Sequence, residues 1–264
     1  MSTIRNMNIS SLNTTNNTAT AKSSHSKPKC KHHIAASTKS FKLYDCQAYD
    51  QYIVPELSDD TTTQKQQTQQ PRYGKSRFCV ELYGINEIGE RCIIFVTDMM
   101  PYFYVKIDTE EPDRPWTMQT ANNFAKYIAK KIGKFPADIR ATIVHNTSLS
   151  GFNNQTKHQF VRLEFDSQSI FKRAKNLWYA GEYRSRTPSL AAFSDNPVYF
   201  RAGLELYESS MLPLLRFFHL NEISPTGWVE IDLNHATSPS VPLTSCEYEY
   251  ETQCKYIHPQ PNKI

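Results

Sequence analysis

Hydrophobic and polar positions change rhythm several times along the chain, and each change marks an element. Phe41 to Tyr49 is an apolar patch after a polar start, with Tyr52, Ile53 and Val54 close behind, and supplies a first strand. Phe78, Val80 and Leu82 alternate with Arg77, Cys79 and Glu81; turn residues run from Gly84 to Gly89, and Arg91 to Val96 is a second apolar run. A period of two on either side of a glycine-bearing turn predicts a hairpin. Pro101 to Ile107 predicts a third strand with aromatic residues on both faces. From Trp116 the period lengthens: Ala121, Phe124, Ala125, Ile128 and Ile132 share one face, Lys126, Lys130, Lys131 and Lys134 lie elsewhere, and Gly133 is a natural stop. That spacing predicts an amphipathic helix.

Ile139 to Val144 alternates as a strand, Ser148 to Asn154 turns around Gly151 and Phe152, and Val161, Leu163 and Phe165 form the next strand. Ser167 can cap a second helix with Ile170, Ala174, Leu177 and Trp178 on one face. Residues 181–206 read as a loop with a short strand at Val198, Tyr199 and Phe200. Met211, Leu214, Leu215 and Phe218 then predict a helix from Met211 to Leu220, with Glu208, Ser209 and Ser210 available as caps and Pro213 in its first turn. Ser224, Pro225 and Gly227 lead into a strand at Trp228 to Ile231. Farther on, Glu247, Glu249 and Glu251 alternate with Tyr248 and Tyr250, as in a half-exposed strand with an acidic, solvated outer face.

The order from Tyr102 to Trp178 is strand, helix, strand, strand, helix, which one further strand completes as a ferredoxin-like split βαβ unit, the architecture of RNA-recognition modules. The predicted class is therefore α+β: a β-rich domain containing a ferredoxin/RRM-like split βαβ unit, behind a disordered N-terminal tail.

Composition sharpens this picture at two places. Residues 1–40 carry six basic side chains (Arg5, Lys22, Lys27, Lys29, Lys31, Lys39), no acidic one and few large apolar ones, leaving the remainder at −2 by subtraction from the net +4. Such a segment buries too little surface to offset its ordering entropy. Basicity is thus a property of the tail, and solvated tails and phosphate-binding arms share it. Residues 59–74, which begin DDTTTQKQQTQQ, read as a flexible polar insertion. The expected organisation is a tail at 1–40 and one domain at 41–264, with the ferredoxin-like part at 101–206 and a helix and strands at 207–264. No run reaches the roughly 18 apolar residues of a membrane helix and no signal peptide opens the chain, so an intracellular, soluble setting is expected.

Candidate chemistry is sparse. Six cysteines show no C-x-x-C pair and read as free thiols. Cys30, His32 and His33, or Cys254 with His258, do not form the two separated ligand pairs of a structural zinc site. Phosphate-cradling glycine loops, a dinucleotide fingerprint and a nucleophile elbow are missing. Asp108 and Glu110, after the Tyr102 strand, resemble half of a two-metal nuclease site, but no carboxylates follow in the order such a site needs. Leu163-Glu-Phe-Asp166-Ser-Gln168 has glutamine where a second carboxylate belongs. His145 and His219 read as structural. No catalytic residue and no metal ligand is assigned. What remains is binding: Tyr102, Tyr104, Phe160 and Arg162 on the open face of a split βαβ sheet, with Lys172, Arg173 and Lys175 nearby in sequence, can stack bases and contact phosphates. The competing reading makes these aromatics core and the lysines a solvated helix face, since strand aromatics most often stabilise sheets.

The wording of particular stretches adds a resemblance. Tyr207-Glu208-Ser209, then Pro213, Leu215-Arg216-Phe217 and Gly227-Trp228-Val229-Glu230, resembles the end of the N-terminal domain of family B DNA polymerases, closest to the delta-like replicative branch. Met100-Pro-Tyr-Phe-Tyr-Val105, Gly151-Phe152, Phe160-Val-Arg-Leu163 and Phe171-Lys-Arg-Ala-Lys175 follow in the same family order, so the resemblance spans residues 76–258. It implies a non-catalytic part of a DNA-directed polymerase acting in replication, which packs on the 3′→5′ exonuclease domain and helps guide the single-stranded DNA template. Tyr207, Glu208, Ser209, Arg216, Phe217, Gly227, Trp228 and Glu230 are then structural residues. Magnesium would belong to catalytic domains whose first motif, an apolar strand ending in Phe-Asp-x-Glu, does not occur before Ile264. Partners would be DNA and the exonuclease and polymerase domains or a polypeptide carrying them, with no membrane, in a nucleus or a large DNA virus replication compartment. The alternatives are a stand-alone single-stranded nucleic-acid-binding module and an interaction domain docking another polymerase subunit.

Overall fold

A computed structural model describes residues 37–53, 75–107, 115–147, 157–179, 189–201, 203–239 and 241–261. The tail up to residue 36, the polar insertion at 59–74, Asp108 with Glu110, and the turn at Ser148 to Asn154 lie outside those residues. Two sheets organise the rest. Six strands, β1 (Thr38–Ile53), β2 (Lys75–Ile85), β3 (Arg91–Val96), β8 (Trp228–Asp232), β9 (Tyr248–Thr252) and β10 (Ile257–Pro259), form one sheet in the order β10-β8-β1-β2-β3-β9. The expected hairpin is present as antiparallel β2 and β3, and β9 joins β3 in parallel. Four strands, β4 (Tyr102–Lys106), β5 (Ile139–Thr147), β6 (Lys157–Phe165) and β7 (Glu205–Tyr207), form the second sheet in the order β5-β6-β4-β7, all antiparallel.

Helices α1 (Met118–Lys131) and α2 (Gln168–Asn176) cover one face of the four-stranded sheet. Thr117 caps α1 and Ser167 caps α2, each hydroxyl accepting from the backbone N–H three residues on, which satisfies one of the donors a helix start leaves open. Ala121, Phe124, Ala125, Ile128 and Ala129 bring α1 against Phe103, Val105, Val161 and Leu163 of the sheet. The core between them is aromatic: Phe103 meets Phe165, Phe171 and Trp178, and the Trp178 indole N–H donates to the Leu204 carbonyl at 2.9 Å. Edge-to-face ring pairs of this kind contribute about 0.5–1.5 kcal/mol each beyond the area they bury.

Residues 198–200 depart from expectation. They lie in a helical turn, α3 (Pro197–Arg201), instead of a strand. Asn196 Oδ1 accepts from the N–H groups of Val198 and Tyr199, and Pro197 at the first helical position has its φ already set for a helix. The turn carries buried Tyr199 onto Phe124 and Tyr127.

The stretch after β7 also differs in detail. Helix α4 (Pro213–Leu220) begins two residues later than its apolar spacing implies, and no side chain caps it. Its buried face is Pro213, Arg216, Phe217 and Phe218, whereas Leu212 and Leu215 are exposed at 59% and 57%. Phe217 and Phe218 enter the core of the six-stranded sheet with Phe41, Leu43, Phe78 and Val229. Gly227 is required where the chain turns into β8: a Cβ there would lie 2.9 Å from the Ser224 Cβ. Its carbonyl accepts from Leu43 N–H at 2.9 Å, beside the β-bulge that shifts the register of β1 between Leu43 and Asp45.

The acidic strand is solvated in part: Glu247 and Glu251 are 43% and 42% exposed, and Glu249 is buried. Glu247 receives the backbone N–H, Nε and Nη2 of Arg91, Glu249 is buried and accepts from the Leu243 and Thr244 N–H groups, and Glu251 pairs with Arg77 at 3.0 Å. Each carboxylate is held by a donor from a neighbouring segment, which removes the repulsion that alternation alone suggests.

Candidate nucleic-acid interface

The pleat of β4 and β6 sends the candidate aromatics to the sheet face opposite α1 and α2. Tyr102 and Tyr104 alternate with Phe103 and Val105, and register places Tyr104 against Arg162 and Lys106 against Phe160. Tyr102, Tyr104, Phe160 and Tyr207 make one cluster with Val144. Tyr104 meets both Tyr102 and Phe160 edge-on, and Phe160 meets Tyr207 in the same way at 5.2 Å. This is the face on which an RNA-recognition sheet would present rings. Here it is closed: Tyr102 is 8% exposed, Tyr104 5% and Phe160 0%. In this arrangement none of the three offers a ring face to a base.

The closure comes from the Tyr207-Glu208-Ser209 segment and α4. Arg216 and Glu208 form an ion pair at 3.0 Å with side chains 1% and 3% exposed. The same guanidinium donates to the Glu208 carbonyl at 3.0 Å and lies 3.9 Å from the centre of the Tyr102 ring. Glu208 reaches this position from a left-handed backbone, φ 54°, an uncommon conformation for a side-chain-bearing residue that the surrounding contacts must hold. Arg216 therefore fills the aromatic face with a planar cation. Burial pushes the Tyr104 hydroxyl well above its ordinary range, with Tyr102 and Glu208 adding to the effect.

The basic residues fall elsewhere. Arg162 stays beside Tyr102, 5.4 Å from its ring, and pairs with Glu164 at 2.9 Å. Lys172 and Arg173 are exposed on α2, and Lys175 is half-buried there, where burial lowers its pKa. Because α2 packs on the Phe103 and Leu163 side, the sheet separates these three cations from Tyr102, Tyr104 and Phe160. Nearness in sequence did not translate into one site.

The residues assigned a structural role are divided between the two sheets. Tyr207, Ser209, Arg216 and Phe217 are buried, Glu208 pairs with Arg216, and Trp228 and Glu230 sit on β8, where Glu230 accepts from the Gln260 side chain. A second clasp joins the sheets. The Asp50 carboxylate of β1 accepts from the N–H groups of Gln168 and Ser169 at 2.5 and 2.8 Å, placing a negative charge at the N-terminus of α2. Asp166, in the stretch whose glutamine stands where a second carboxylate belongs, faces Lys75 at 3.1 Å and gives its carbonyl to Phe78 N–H. His145 and His219 are exposed on β5 and α4. Among the described residues no cluster of three His, Cys, Asp or Glu side chains could hold a metal ion, Cys46, Cys79, Cys92, Cys246 and Cys254 are free thiols, and no helix is long and apolar enough to cross a membrane.

One aromatic site escaped sequence reasoning. His235 stacks on Tyr256 with ring centres 4.0 Å apart and planes 9° from parallel. Lys255 Nζ lies 4.7 Å from the Tyr256 ring. The two residues come from segments 21 positions apart with no repeating pattern between them, so spacing carried no signal.

Comparison with known proteins supports the resemblance in wording. No family model matches the chain. It is 30% identical over 222 residues to a DNA polymerase of Phaeocystis pouchetii virus, covering 83% of this chain and 20% of that protein. A DNA polymerase of Pyramimonas orientalis virus is 27% identical over 188 residues, covering 70% of this chain and 14% of that protein. The DNA polymerase delta catalytic subunit of Dictyostelium discoideum is 21% identical over 183 residues, covering 67% and 16% respectively. Among solved structures, the family B DNA polymerase of the hyperthermophilic archaeon Pyrobaculum calidifontis is similar with a TM-score of 0.48 and 13% identity, over 84% of this chain and 21% of that one. The chain thus spans about a fifth or less of the length of these relatives. Extended identity to viral polymerases and to a delta catalytic subunit places it: the chain belongs to the family B, delta-like DNA polymerases, to whose N-terminal portion it corresponds.

Proposed function

We propose that this chain is a non-catalytic part of a DNA polymerase, serving replication by supporting the exonuclease domain and by contacting the single-stranded template. The observation that carries the proposal is the 222-residue match to a viral DNA polymerase of which the chain covers only 20%. The geometry agrees with a supporting role. Helix α4 ties both sheets together through Phe217 and Phe218 on one side and Arg216 on the other, and Asp50 fixes α2 to β1. Such doubly clasped sheets form a stiff base on which another domain can be oriented.

The strand order β5-β6-β4-β7, with α1 and α2 as the two crossovers on one face, supports reading the smaller sheet as a ferredoxin-like split βαβ unit. The exposed Lys172 and Arg173 of α2 are candidates for phosphate contact; the buried rings of the sheet are not candidates for stacking without displacement of Arg216. On this reading magnesium, nucleotide and catalytic carboxylates belong to other parts of the polymerase, and the site of action is a nucleus or a viral replication compartment. A docking role for another polymerase subunit draws support from the exposed Leu212 and Leu215 on α4.

The test is direct. The purified chain is assayed on a primed template with magnesium and deoxynucleotides, for incorporation and for 3′→5′ degradation. No turnover is expected; robust activity that survives repurification would overturn the proposal.

A further inference from the structure

The two helices that cover one face of the four-stranded sheet carry no acidic residue. Together they hold Lys126, Lys130, Lys131, Lys172, Arg173 and Lys175, and the run from Met118 to Ala137 contains no Asp or Glu. The net +4 less the six cations before residue 41 leaves residues 41–264 at −2, so this positive charge is local to the helical layer. Nearby carboxylates are engaged: Asp195 pairs with Lys131 at 2.8 Å and accepts from the Tyr127 hydroxyl, and Asp50 accepts from the N–H groups of Gln168 and Ser169. Among the described residues no carboxylate pairs with Lys126, Lys130, Lys134, Lys172 or Arg173. Lys126 and Lys130 are exposed and four residues apart on α1, a spacing at which like charges destabilise a helix. A face that is merely solvated relieves that repulsion with interspersed carboxylates; this one does not.

The end of α1 adds an open ring on a fixed turn. Gly133, at φ 65°, donates its N–H to the Lys130 carbonyl at 3.1 Å, and Lys134 N–H donates to the Ala129 carbonyl at 2.8 Å, the paired bonds of a Schellman stop. Phe135 N–H then donates to Asp138 Oδ2 at 3.2 Å, and the Phe135 carbonyl accepts from Asp138 N–H at 3.0 Å, with Pro136 between them. On this held backbone Phe135 is 72% exposed. The turn lies at the same end of the sheet as the start of α2: Ile139 is in register with Phe165, and Asp166 N–H donates to the Asp138 carbonyl at 3.0 Å.

From this arrangement we infer that the outer side of the helical layer, with Phe135 at the end of α1, is a contact surface for single-stranded nucleic acid. Phe135 is the stacking surface for a base, and Lys126, Lys130 and Lys134, with Lys172 and Arg173 of the same layer, contact the phosphates. Lys126 and Lys130 stand about 6 Å apart along the helix axis, a track of charge that a strand backbone can follow. An open aromatic plane beside such a track is the combination sequence-tolerant strand binding uses: π-faces accept any base, and cations follow the backbone. An anionic membrane surface fits less well. A helix lying on a membrane buries an apolar face there, and α1 spends its own, Ala121, Phe124, Ala125 and Ile128, on the sheet. The closed ring cluster around Tyr102 is on the opposite side of the sheet, so strand contact here requires no displacement of Arg216. The inference rests on the proposed template-contacting role and assigns it a place.

The experiment is fluorescence anisotropy of a labelled oligothymidylate titrated with the full-length chain across a salt series. Wild type is expected to bind with an affinity that falls steeply with salt. Phe135→Ala is expected to weaken binding at least about five-fold, the lower end of the effect of taking the aromatic partner from a stacked base, while Phe135→Tyr, which keeps a ring, binds within about two-fold of wild type. Replacing Lys126, Lys130 and Lys134 together by Gln is expected to reduce the slope of log affinity against log salt by about 2, at roughly 0.7 for each phosphate no longer neutralised. If wild type binds but Phe135→Ala is unchanged, Phe135→Tyr is as weak as Phe135→Ala, or the triple variant keeps the wild-type slope, the inference fails and template binding lies elsewhere. Sedimentation with phosphatidylserine-containing vesicles is expected to be the same for wild type and Phe135→Ala; a loss there, with oligonucleotide binding unchanged, would assign the surface to a membrane and overturn the inference. If wild type shows no salt-dependent oligonucleotide binding, both the inference and the template-contacting role fail, and family membership is untouched.

Discussion

Two aromatic and cationic groups in this molecule are alike in residue type and differ in what surrounds them. Around Tyr102, Tyr104, Phe160 and Tyr207, rings and guanidinium groups meet inside the protein, with Arg216 and Glu208 at 1% and 3% side-chain exposure. At His235 and Tyr256, a stacked pair with a lysine beside it stands at the surface. The first group uses its ring faces to hold two sheets together; the second leaves a face free. Residue types that can bind a base are thus no guide to whether they do so until their neighbours are known, because a protein can supply its own arginine as the ligand.

Separating the two groups experimentally begins with the largest effect. Removing Arg216 leaves the Glu208 carboxylate buried without its counter-charge, so Arg216→Ala is expected to cost about 3–5 kcal/mol in urea denaturation. The charge-free pair Arg216→Met with Glu208→Gln should recover much of that loss. If Arg216→Ala is nearly neutral, the clasp is not what closes the sheet face. Truncating the closed cluster should be next in size: Phe160→Ala is expected to destabilise by about 3 kcal/mol through its cavity, whereas His235→Ala stays within about 0.5 kcal/mol. Equal costs at the two positions would erase the distinction between them. Smaller again is Asp50→Ala, which strips the N-terminus of α2 of a donated carboxylate and is expected to cost about 1–2 kcal/mol. Protection of the α2 amides in hydrogen exchange should fall with it.

The mildest effect is one of pH. Side-chain and backbone hydrogen bonds from Arg91 hold Glu247 down at about 2, against an ordinary 4.5. A carboxylate depressed on folding contributes stability that is fully present above its unfolded value and is lost as pH falls through the folded one. Stability should therefore decline between about pH 4.5 and pH 2, and Arg91→Ala should flatten that decline in part, since the residue 91 N–H still donates to Glu247. An unchanged acid limb would show that other carboxylates dominate it.

Much of this architecture was legible in the sequence, for reasons that differ by element. A period of three to four identified α1 and α2, which bury one face each, and alternation identified β2 and β6, whereas β3 and β4, buried on both faces, showed as continuous apolar or aromatic runs. Ser167 and Gly133 marked helix ends through local chemistry. Residues 198–200 misled because Val, Tyr and Phe favour strands on their own, while the deciding signal, Asn196 with Pro197, is a cap. At α4, apolar spacing chose Met211, Leu214, Leu215 and Phe218; Phe218 is buried and Leu214 packs on the core, but Leu215 faces outward and the inward face also carries Arg216. A buried arginine is stabilised by a partner eight residues away in sequence, on a left-handed Glu208, and nothing in periodicity reports that. The candidate site was legible only as composition. Which rings are covered depends on α4 folding back over β4, and the open pair at His235 and Tyr256 depends on two separate turns meeting, so both are tertiary facts.

The most direct measurement is photo-crosslinking of a single-stranded oligonucleotide carrying 5-iodouracil to the full-length chain, followed by mass mapping of the adduct. No attachment is expected at Tyr102, Tyr104 or Phe160, whose rings are buried. An adduct on any of those three rings would contradict the closure of the sheet face, since a base could reach them only after Arg216 had left the sheet.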